Sequence, residues 1–479
     1  MQKGGKKVPG IIIAGLRGGS GKTVVSLGIT AAWKENGFNV SPFKKGPDYI
    51  DAGWLSKAAG RPCYNLDTYL CPPGTVKQSY LEHSKNCDIC VVEGNRGLYD
   101  GIDTDGSTST AELAKLLNLP VLLVLDCTKA TRTMAALVFG CMKFDPDIRI
   151  IGVILNRVAG KRHEKKVREN IEKFCHIPVF GAIPKLDAED FPERHMGLVT
   201  SEEHLFSDKA VQSAVQVVKE NIDLDGIFDI LIQQDGAGDL KIFEPSEEIF
   251  ENQYSVSAKV RIGIIRDSAF QFYYPDNIDA LRKLGAAIVF ISPLKETSIP
   301  DVDALYMGGG FPETHAPELT QNTGFREDLR RLSHMGLPIY AECGGLIFLG
   351  QSIKLQDKEY PMAGIFPIWF GLCKQPQGHG YTMVEVTQKN PFFKTGEKLR
   401  GHEFRYSSII GIDYQDHEMA FRMERGKGII DKKDGFFKHN TLGTYTHIHA
   451  LGTPSWAPSL ISMASSYKAR NPNTSLDRL

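Results

Sequence analysis

Residues 10–24 read GIIIAGLRGGSGKTV, and no other stretch of the chain restricts its fold as tightly. An apolar run, a glycine-rich turn and the helical pattern KTVVSLGITAAWKEN follow one another in the order that a phosphate-binding loop needs. Backbone N–H groups at Gly15, Gly18, Gly19 and Gly21 are expected to ring phosphate oxygens, with Lys22 neutralising them and the Thr23 hydroxyl within reach of Mg2+. Five residues stand between Gly15 and the Gly-Lys-Thr triplet, where the common loop has four. The start of the chain must therefore build strand, turn and helix, and ATP is the expected ligand.

The alternation continues past this loop. Strand-like runs GIIIAG, NVSPFK, DICVVEG, PVLLVLD, IIGVILN and PVFGAI, separated by helical patterns to about residue 185, predict a doubly wound, mainly parallel sheet with helices on both faces. A helical stretch near 207–222 leads into a polar, acidic segment without a clean period. A second alternating series starts at VRIGIIRD and passes through NIDALRKLG, AAIVFIS, DALYMGGG and LPIYAEC, before strands such as YTMVEV and HEFRYSSI close it as a mixed sheet. The expectation is an α/β chain with a first domain over 8–230, a linker over 231–258 and a second domain over 259–465.

Composition narrows the functions open to such a chain. Lys plus Arg (56) and Asp plus Glu (57) almost cancel, so no global field draws in nucleic acid or an anionic membrane. PVLLVLD stops at Asp126, well short of a membrane span. Nine cysteines, an odd number scattered over 479 residues, read as reduced thiols in a cytoplasmic protein. Cys87 and Cys90 make one CxxC with no second pair to complete a zinc site, and they read as structural.

Two acidic stretches, KKGPDYIDAG and VVEGNRGLYDG, each follow a strand-like run, where doubly wound sheets bind their ligands. Asp48, Asp51, Glu93 and Asp100 can converge there on a triphosphate, and that much negative charge demands a cation. Mg2+ is expected on Thr23, Asp48 and Glu93, leaving Asp51 and Asp100 to orient substrate or help activate its attacking carboxylate. The loop RGGSGKT resembles the deviant P-loops of the nitrogenase iron protein and MinD group, and its spacing is similar to that of dethiobiotin synthetase, which activates a carboxylate with ATP. KGPDYID and EGNRGLYDG, with STAELAKLL and PVLLVLD after them, resemble the cobyrinic acid a,c-diamide synthase family, and the likeness runs through nearly the whole chain. By analogy with related ATPases, Asn156 of ILNRVAG would read the adenine.

In the second half, YAECGGLIFL puts Cys343 between a strand and a helix, as a nucleophile elbow whose turn exposes the sulfur and aims a helix N-terminus at it. The amide of Gly344, with Gly309 and Gly310 of DALYMGGGFPE, can face a tetrahedral oxyanion. With the late histidines of TYTHIHA, these elements resemble a class I glutamine amidotransferase of the cobyrinate and cobyrate synthase type, which implies a flavodoxin-like second domain. In that family's pattern His447 activates Cys343, and His449 is the alternative. Many amidotransferases carry glutamate where this chain has His449, so a dyad, or a third partner from elsewhere, is expected.

The resemblance implies ATP- and glutamine-dependent amidation of the a and c carboxylates of cobyrinic acid. The first domain would make an acyl phosphate, Cys343 would release ammonia from L-glutamine, and an enclosed route would join them. Lys44, Lys45, Arg96, Arg194 or His195 would face the polycarboxylate macrocycle. Hydrogenobyrinic acid and nickel sirohydrochlorin are alternative tetrapyrrole substrates for the same architecture, while cobyric acid synthase fits KGPDYID and EGNRGLYDG less well. A MinD-like ATPase switch is the reading from another class, and it leaves the cysteine elbow without a use. A homodimer stays open.

Overall fold

The computed structural model describes residues 8–186, 193–194, 197–198, 207–234 and 260–471. These divide into two compact units, one holding residues up to 68 and 72–234, the other holding Tyr69–Cys71 with residues 260–471. Most of the expected linker, from 235 onward, lies outside the described residues, as does His195.

In the first unit, strands β1 (Gly10–Gly15), β2 (Val40–Lys45), β3 (Tyr64–Leu66), β4 (Ile89–Glu93), β5 (Val121–Asp126), β6 (Ile150–Val158) and β7 (Val179–Pro184) make one sheet in the order β3-β2-β4-β1-β5-β6-β7. Every pairing in it is parallel. Helices α1 (Lys22–Glu35), α2 (Tyr49–Ala59), α3 (Pro73–His83), α4 (Thr110–Leu117), α5 (Arg132–Phe144) and α6 (Lys161–Cys175) connect the strands. A short antiparallel pair, β8 (Glu193–Arg194) and β9 (Gly197–Leu198), precedes α7 (Ser207–Asn221) and α8 (Leu224–Gln234), which takes in residues 231–234. Continuous apolar runs such as Ile11, Ile12 and Ile13 are fully buried because helices cover both faces of a parallel sheet. β1 lies between β4 and β5, so the loop after it opens beside the carboxyl end of β4, and the register sets Glu93 opposite both Ile13 and Lys44.

In the second unit the strands are β10 (Arg261–Ile265), β11 (Ala287–Ile291), β12 (Ala304–Met307), β13 (Ile339–Glu342), β14 (Ser352–Leu355), β15 (Lys358–Pro361), β16 (Ile368–Leu372), β17 (Gly378–Val386), β18 (Lys398–Arg405), β19 (Ser407–Ile412), β20 (Met419–Arg425), β21 (Lys433–Lys438), β22 (Thr441–Thr444) and β23 (His447–Ile448). A ten-stranded sheet runs β11-β10-β12-β13-β22-β21-β20-β17-β18-β23, parallel through β22 and antiparallel beyond it. β15, β14, β16 and β19 form a separate small sheet. Helices α9 (Pro275–Lys283), α10 (Ala316–Gln321), α11 (Thr323–His334), α12 (Gly344–Leu349) and α13 (Trp456–Arg470) complete the unit. Period-two alternation divides its core: Leu305, Met307, Ile339 and Ala341 join one cluster, whereas Ala304, Tyr306 and Tyr340 join the other. No described helix is long and apolar enough to cross a membrane, and all nine cysteines are free thiols.

Candidate active sites

The glycine loop turns into α1 at Gly21, whose φ of 93° suits a residue without Cβ. Asn156 packs beneath that turn. Its Nδ2 donates to Ser20 O at 2.9 Å, bracing the loop, and its Oδ1 accepts from Arg157 N at 2.9 Å. Lys22 folds back and donates to Arg17 O at 3.2 Å. Burial, helped by Lys44, pushes the Lys22 pKa down against the pull of Glu93, Asp51 and Asp100. Arg17 reaches Asp126 at 3.0 Å.

Beside the loop, Thr23 Oγ1 donates to Glu93 Oε1 at 2.9 Å. Lys44 Nζ donates to that same oxygen at 2.9 Å, to Asp51 Oδ2 at 2.6 Å and to Gly94 O at 3.3 Å. Burial alone would lower the Lys44 pKa, but Asp51, Glu93 and Asp48 hold it well above the ordinary lysine range. With these three bonds Lys44 sits at the centre of the acidic cluster. Glu93 is fully buried, its Oε2 has no hydrogen-bond partner, and burial pushes its pKa up to about 7 in spite of Lys44.

Asp48 caps α2, accepting from Ile50 N at 2.9 Å and Asp51 N at 3.0 Å, while burial and the Asp51 charge push its pKa up to about 6. Asp100 accepts from Gly97 N at 2.8 Å within its own turn. That turn runs against the glycine loop, since a Cβ on Gly97 would lie 2.6 Å from Leu16 O. Lys45 is buried, which lowers its pKa, and Arg96 adopts a left-handed backbone with φ 52°. The backbone of Arg194 lies in β8. Among the described residues, no group of three or more His, Cys, Asp or Glu is arranged as a metal site.

Cys343 stands between β13 and α12 with φ 46° and ψ −95°, a strained conformation for a residue with a side chain. Its side chain is 5 % exposed and packs in the core cluster that includes Leu346 and Tyr445, so the sulfur is less open than the elbow pattern suggests. His447 hydrogen-bonds Cys343, and its Nδ1 lies 3.5 Å from Glu342 Oε2. Glu342 is fully buried and accepts from the Tyr306 hydroxyl and from Ile448 N, each at 3.1 Å. Burial alone would depress the His447 pKa, yet Cys343 and Glu342 outweigh it and push it up to about 10. An imidazolium is therefore at ease beside this sulfur.

Glycine permits that proximity. A Cβ on Gly309 would lie 2.5 Å from His447 Cε1, and one on Gly344 would lie 2.9 Å from Gly310 N, so the glycine loop closes on both the histidine and the elbow. His449 turns elsewhere, with Nε2 at 3.3 Å from Asp276 Oδ2.

Known proteins share both halves. Residues 11–199 match the CobQ/CobB/MinD/ParA nucleotide binding domain, and residues 261–455 match the CobB/CobQ-like glutamine amidotransferase domain. A cobyrinate a,c-diamide synthase of Magnetococcus marinus is 41% identical over 95% of this chain and 97% of its own length. Those of Archaeoglobus fulgidus and Listeria innocua are 38% and 36% identical over 95% and 93% of this chain, and 98% and 97% of theirs. The chain belongs to the cobyrinate a,c-diamide synthase family. It is a two-domain, glutamine-dependent ligase that forms amides.

For a member of this family, the sequence reading overlooked Glu342, the acid nearest His447. A signal was present: IYAE ends an apolar strand on a charge, and alternation sets that charge on the face of Tyr340, directly before the cysteine. The use of Lys44 as the centre of an acidic cluster was also overlooked, because it depends on β2 lying next to β4.

Proposed function

We propose that the chain converts the a and c carboxylates of cobyrinic acid to amides in two rounds, each using ATP and L-glutamine in the cytoplasm. Family membership supports the reaction, and one observation carries the residue assignment: Cys343, on its strained turn, shares His447 with the buried Glu342. His447 takes the thiol proton, and the sulfur attacks the glutamine carboxamide while amides of Gly309, Gly310 and Gly344 receive the oxyanion. His447 then gives the proton to the departing nitrogen, ammonia leaves, and water hydrolyses the thioester to glutamate. Glu342 holds the imidazolium in orientation, the part that an acid plays in such triads.

In the first unit, Gly15, Gly18, Gly19 and Gly21 with Lys22 cradle the phosphates, and the γ-phosphoryl passes to a substrate carboxylate. Ammonia displaces phosphate from that acyl phosphate, leaving the amide. The residues fit Mg2+: Glu93 Oε2 is buried and unpartnered beside Thr23, with Asp48 nearby. When bound, the ion would offset phosphate charge and polarise the γ-phosphorus. Asp51 and Asp100 orient the carboxylate, and Asn156 serves as the brace of the loop rather than as an adenine reader.

Replacing Cys343 by alanine tests the assignment. Glutamine-dependent amidation should fall at least about a thousandfold, and ammonium salts should restore turnover because the phosphate site is untouched. Persistent glutamine-dependent activity would remove Cys343 from the reaction. Offering pure protein cobyrinic acid, hydrogenobyrinic acid and nickel sirohydrochlorin in turn tests the substrate, and turnover of the last alone would refute cobyrinic acid.

A further inference from the structure

Two residues beyond His447, a second buried histidine lies between a thiol and a carboxylate. His449 is 1% exposed, with Nε2 at 3.3 Å from Asp276 Oδ2 and Nδ1 at 3.4 Å from Cys71 Sγ. Leu451 N donates to Nδ1 at 3.3 Å, while Nε2 approaches the Asp276 carboxylate as an ion-pair contact without hydrogen-bond geometry. Cys71 reaches this place because Tyr69–Cys71 belongs to the second unit.

Asp276 sits in the first turn of α9, and its neighbours there address the same strand. Asn277, fully buried, donates from Nδ2 to Ile448 O at 3.0 Å and accepts at Oδ1 from Ala450 N at 2.7 Å, clasping the backbone on either side of His449. Its Nδ2 also donates to the Tyr306 hydroxyl at 3.1 Å, and that hydroxyl donates to Glu342. Tyr274, at the N-cap of α9, approaches His402 Nδ1 at 3.2 Å, and His402 stacks on His447 with ring centres 4.9 Å apart and planes 19° off parallel. One turn of helix thus touches each side of the strand that carries His447.

An apolar turn would pack this strand at less cost, since buried amide, carboxyl and imidazole groups destabilise unless fully paired. What polar pairing adds is direction: each bond fixes a ring or a carbonyl at one angle. The glutamine-hydrolysing step needs such direction at His447, whose two nitrogens must address Cys343 and Glu342 at once.

We propose that Asp276 and Asn277 are positioning residues for glutamine hydrolysis, acting on His447 through His449 and the Ile448–Ala450 backbone and on Glu342 through Tyr306. Cys71 completes the set by closing the other side of His449. The proposal rests on His447 as the group that activates Cys343.

The full-length protein carrying Asp276→Asn tests it, with three readings: kcat and KM for glutamine, the ammonia-dependent rate, and the rate at which iodoacetamide alkylates Cys343. Misaimed by a fraction of an ångström to about an ångström, His447 should cost about ten- to hundredfold in glutamine kcat and slow alkylation in step, with KM for glutamine and the ammonia-dependent rate within about twofold of wild type. Cys71→Ala should show the same pattern more weakly, and Cys71→Ser should recover most of it; this pair decides the matter if Asp276→Asn does not fold. Unchanged glutamine kcat and alkylation in folded Asp276→Asn would overturn the proposal, as would an equal fall in the ammonia-dependent rate. A His447→Ala protein that still hydrolyses glutamine would instead overturn the assignment on which the proposal rests.

Discussion

Glu93 carries opposing demands in one side chain. Its Oε1 accepts from Thr23 and Lys44, its Oε2 has no partner, and burial pushes its pKa from 4.5 up to about 7. A carboxyl raised on folding favours the folded state below its unfolded pKa, and that contribution is lost as pH rises through the folded value. Without nucleotide, thermal stability should therefore decline from about pH 4.5 to about 7, and the decline should be shallower in Glu93→Gln, which keeps an acceptor for Thr23 but does not titrate. Cation binding has the opposite sign, since only the carboxylate ligates. At pH 7, binding of Mg2+ with nucleotide should release roughly half a proton per chain, read by calorimetry in two buffers of different ionisation enthalpy. Equal release in wild type and Glu93→Gln would remove Glu93 from the cation site. The glycine loop before Lys22 and Thr23 and the strand–turn–helix around Cys343 were legible because each is fixed by local spacing. Lys44 and Glu342 were not, because their partners come from strand order and pairing rather than from neighbours in sequence.

At the scale of elements, the bend between β22 and β23 decides where His447 points, and it is tied to β21. Asp434, fully buried, accepts from Thr444 Oγ1 at 2.8 Å, Tyr445 N at 3.0 Å, Thr446 Oγ1 at 2.9 Å and Thr446 N at 3.1 Å. Asp434→Asn turns one acceptor into an amino group facing those donors. It should lower stability by about 2–4 kcal/mol in denaturant unfolding and reduce glutamine-dependent more than ammonia-dependent turnover. A variant as stable as wild type would mean that β22 and β23 hold the bend unaided. Gly309→Ala should act more selectively, since its Cβ would press on His447 within 2.5 Å while the sheet stays intact. Glutamine turnover should fall more than ammonia-dependent turnover, with a stability loss of about 1–3 kcal/mol from overpacking a buried ring. The small sheet of β14, β15, β16 and β19 was not expected as a separate sheet: SIKL alternates but is only four residues long, KEYP does not alternate, and HEFRYSSI, read as one strand, breaks at Tyr406 into β18 and β19.

The whole molecule joins two chemistries, and the alternation of strands and helices announced both units before any coordinate did. Only β3 was missing from the first sheet, being three residues long, and nothing in the sequence marked Tyr69–Cys71 as part of the second unit. That segment's place is a matter of packing, not of pattern. The division of labour has a consequence in pH. An acyl phosphate is attacked by ammonia, not ammonium, so a protein fed with ammonium salts depends on the small free-base fraction in solution. Cys343→Ala should show ammonia-dependent turnover that rises about tenfold per pH unit from about pH 6.5 to about 8.5. With the proposed role of His447, wild type fed with glutamine should be nearly flat over the upper part of that range, since the product would leave as free ammonia. Lys22→Ala should lose both activities at every pH, since no phosphoryl group reaches the carboxylate. Ammonia-dependent turnover in Cys343→Ala that ignores pH would show that free ammonia is not the attacking species, and Lys22→Ala turning over ammonia normally would show that amidation does not pass through the phosphate loop.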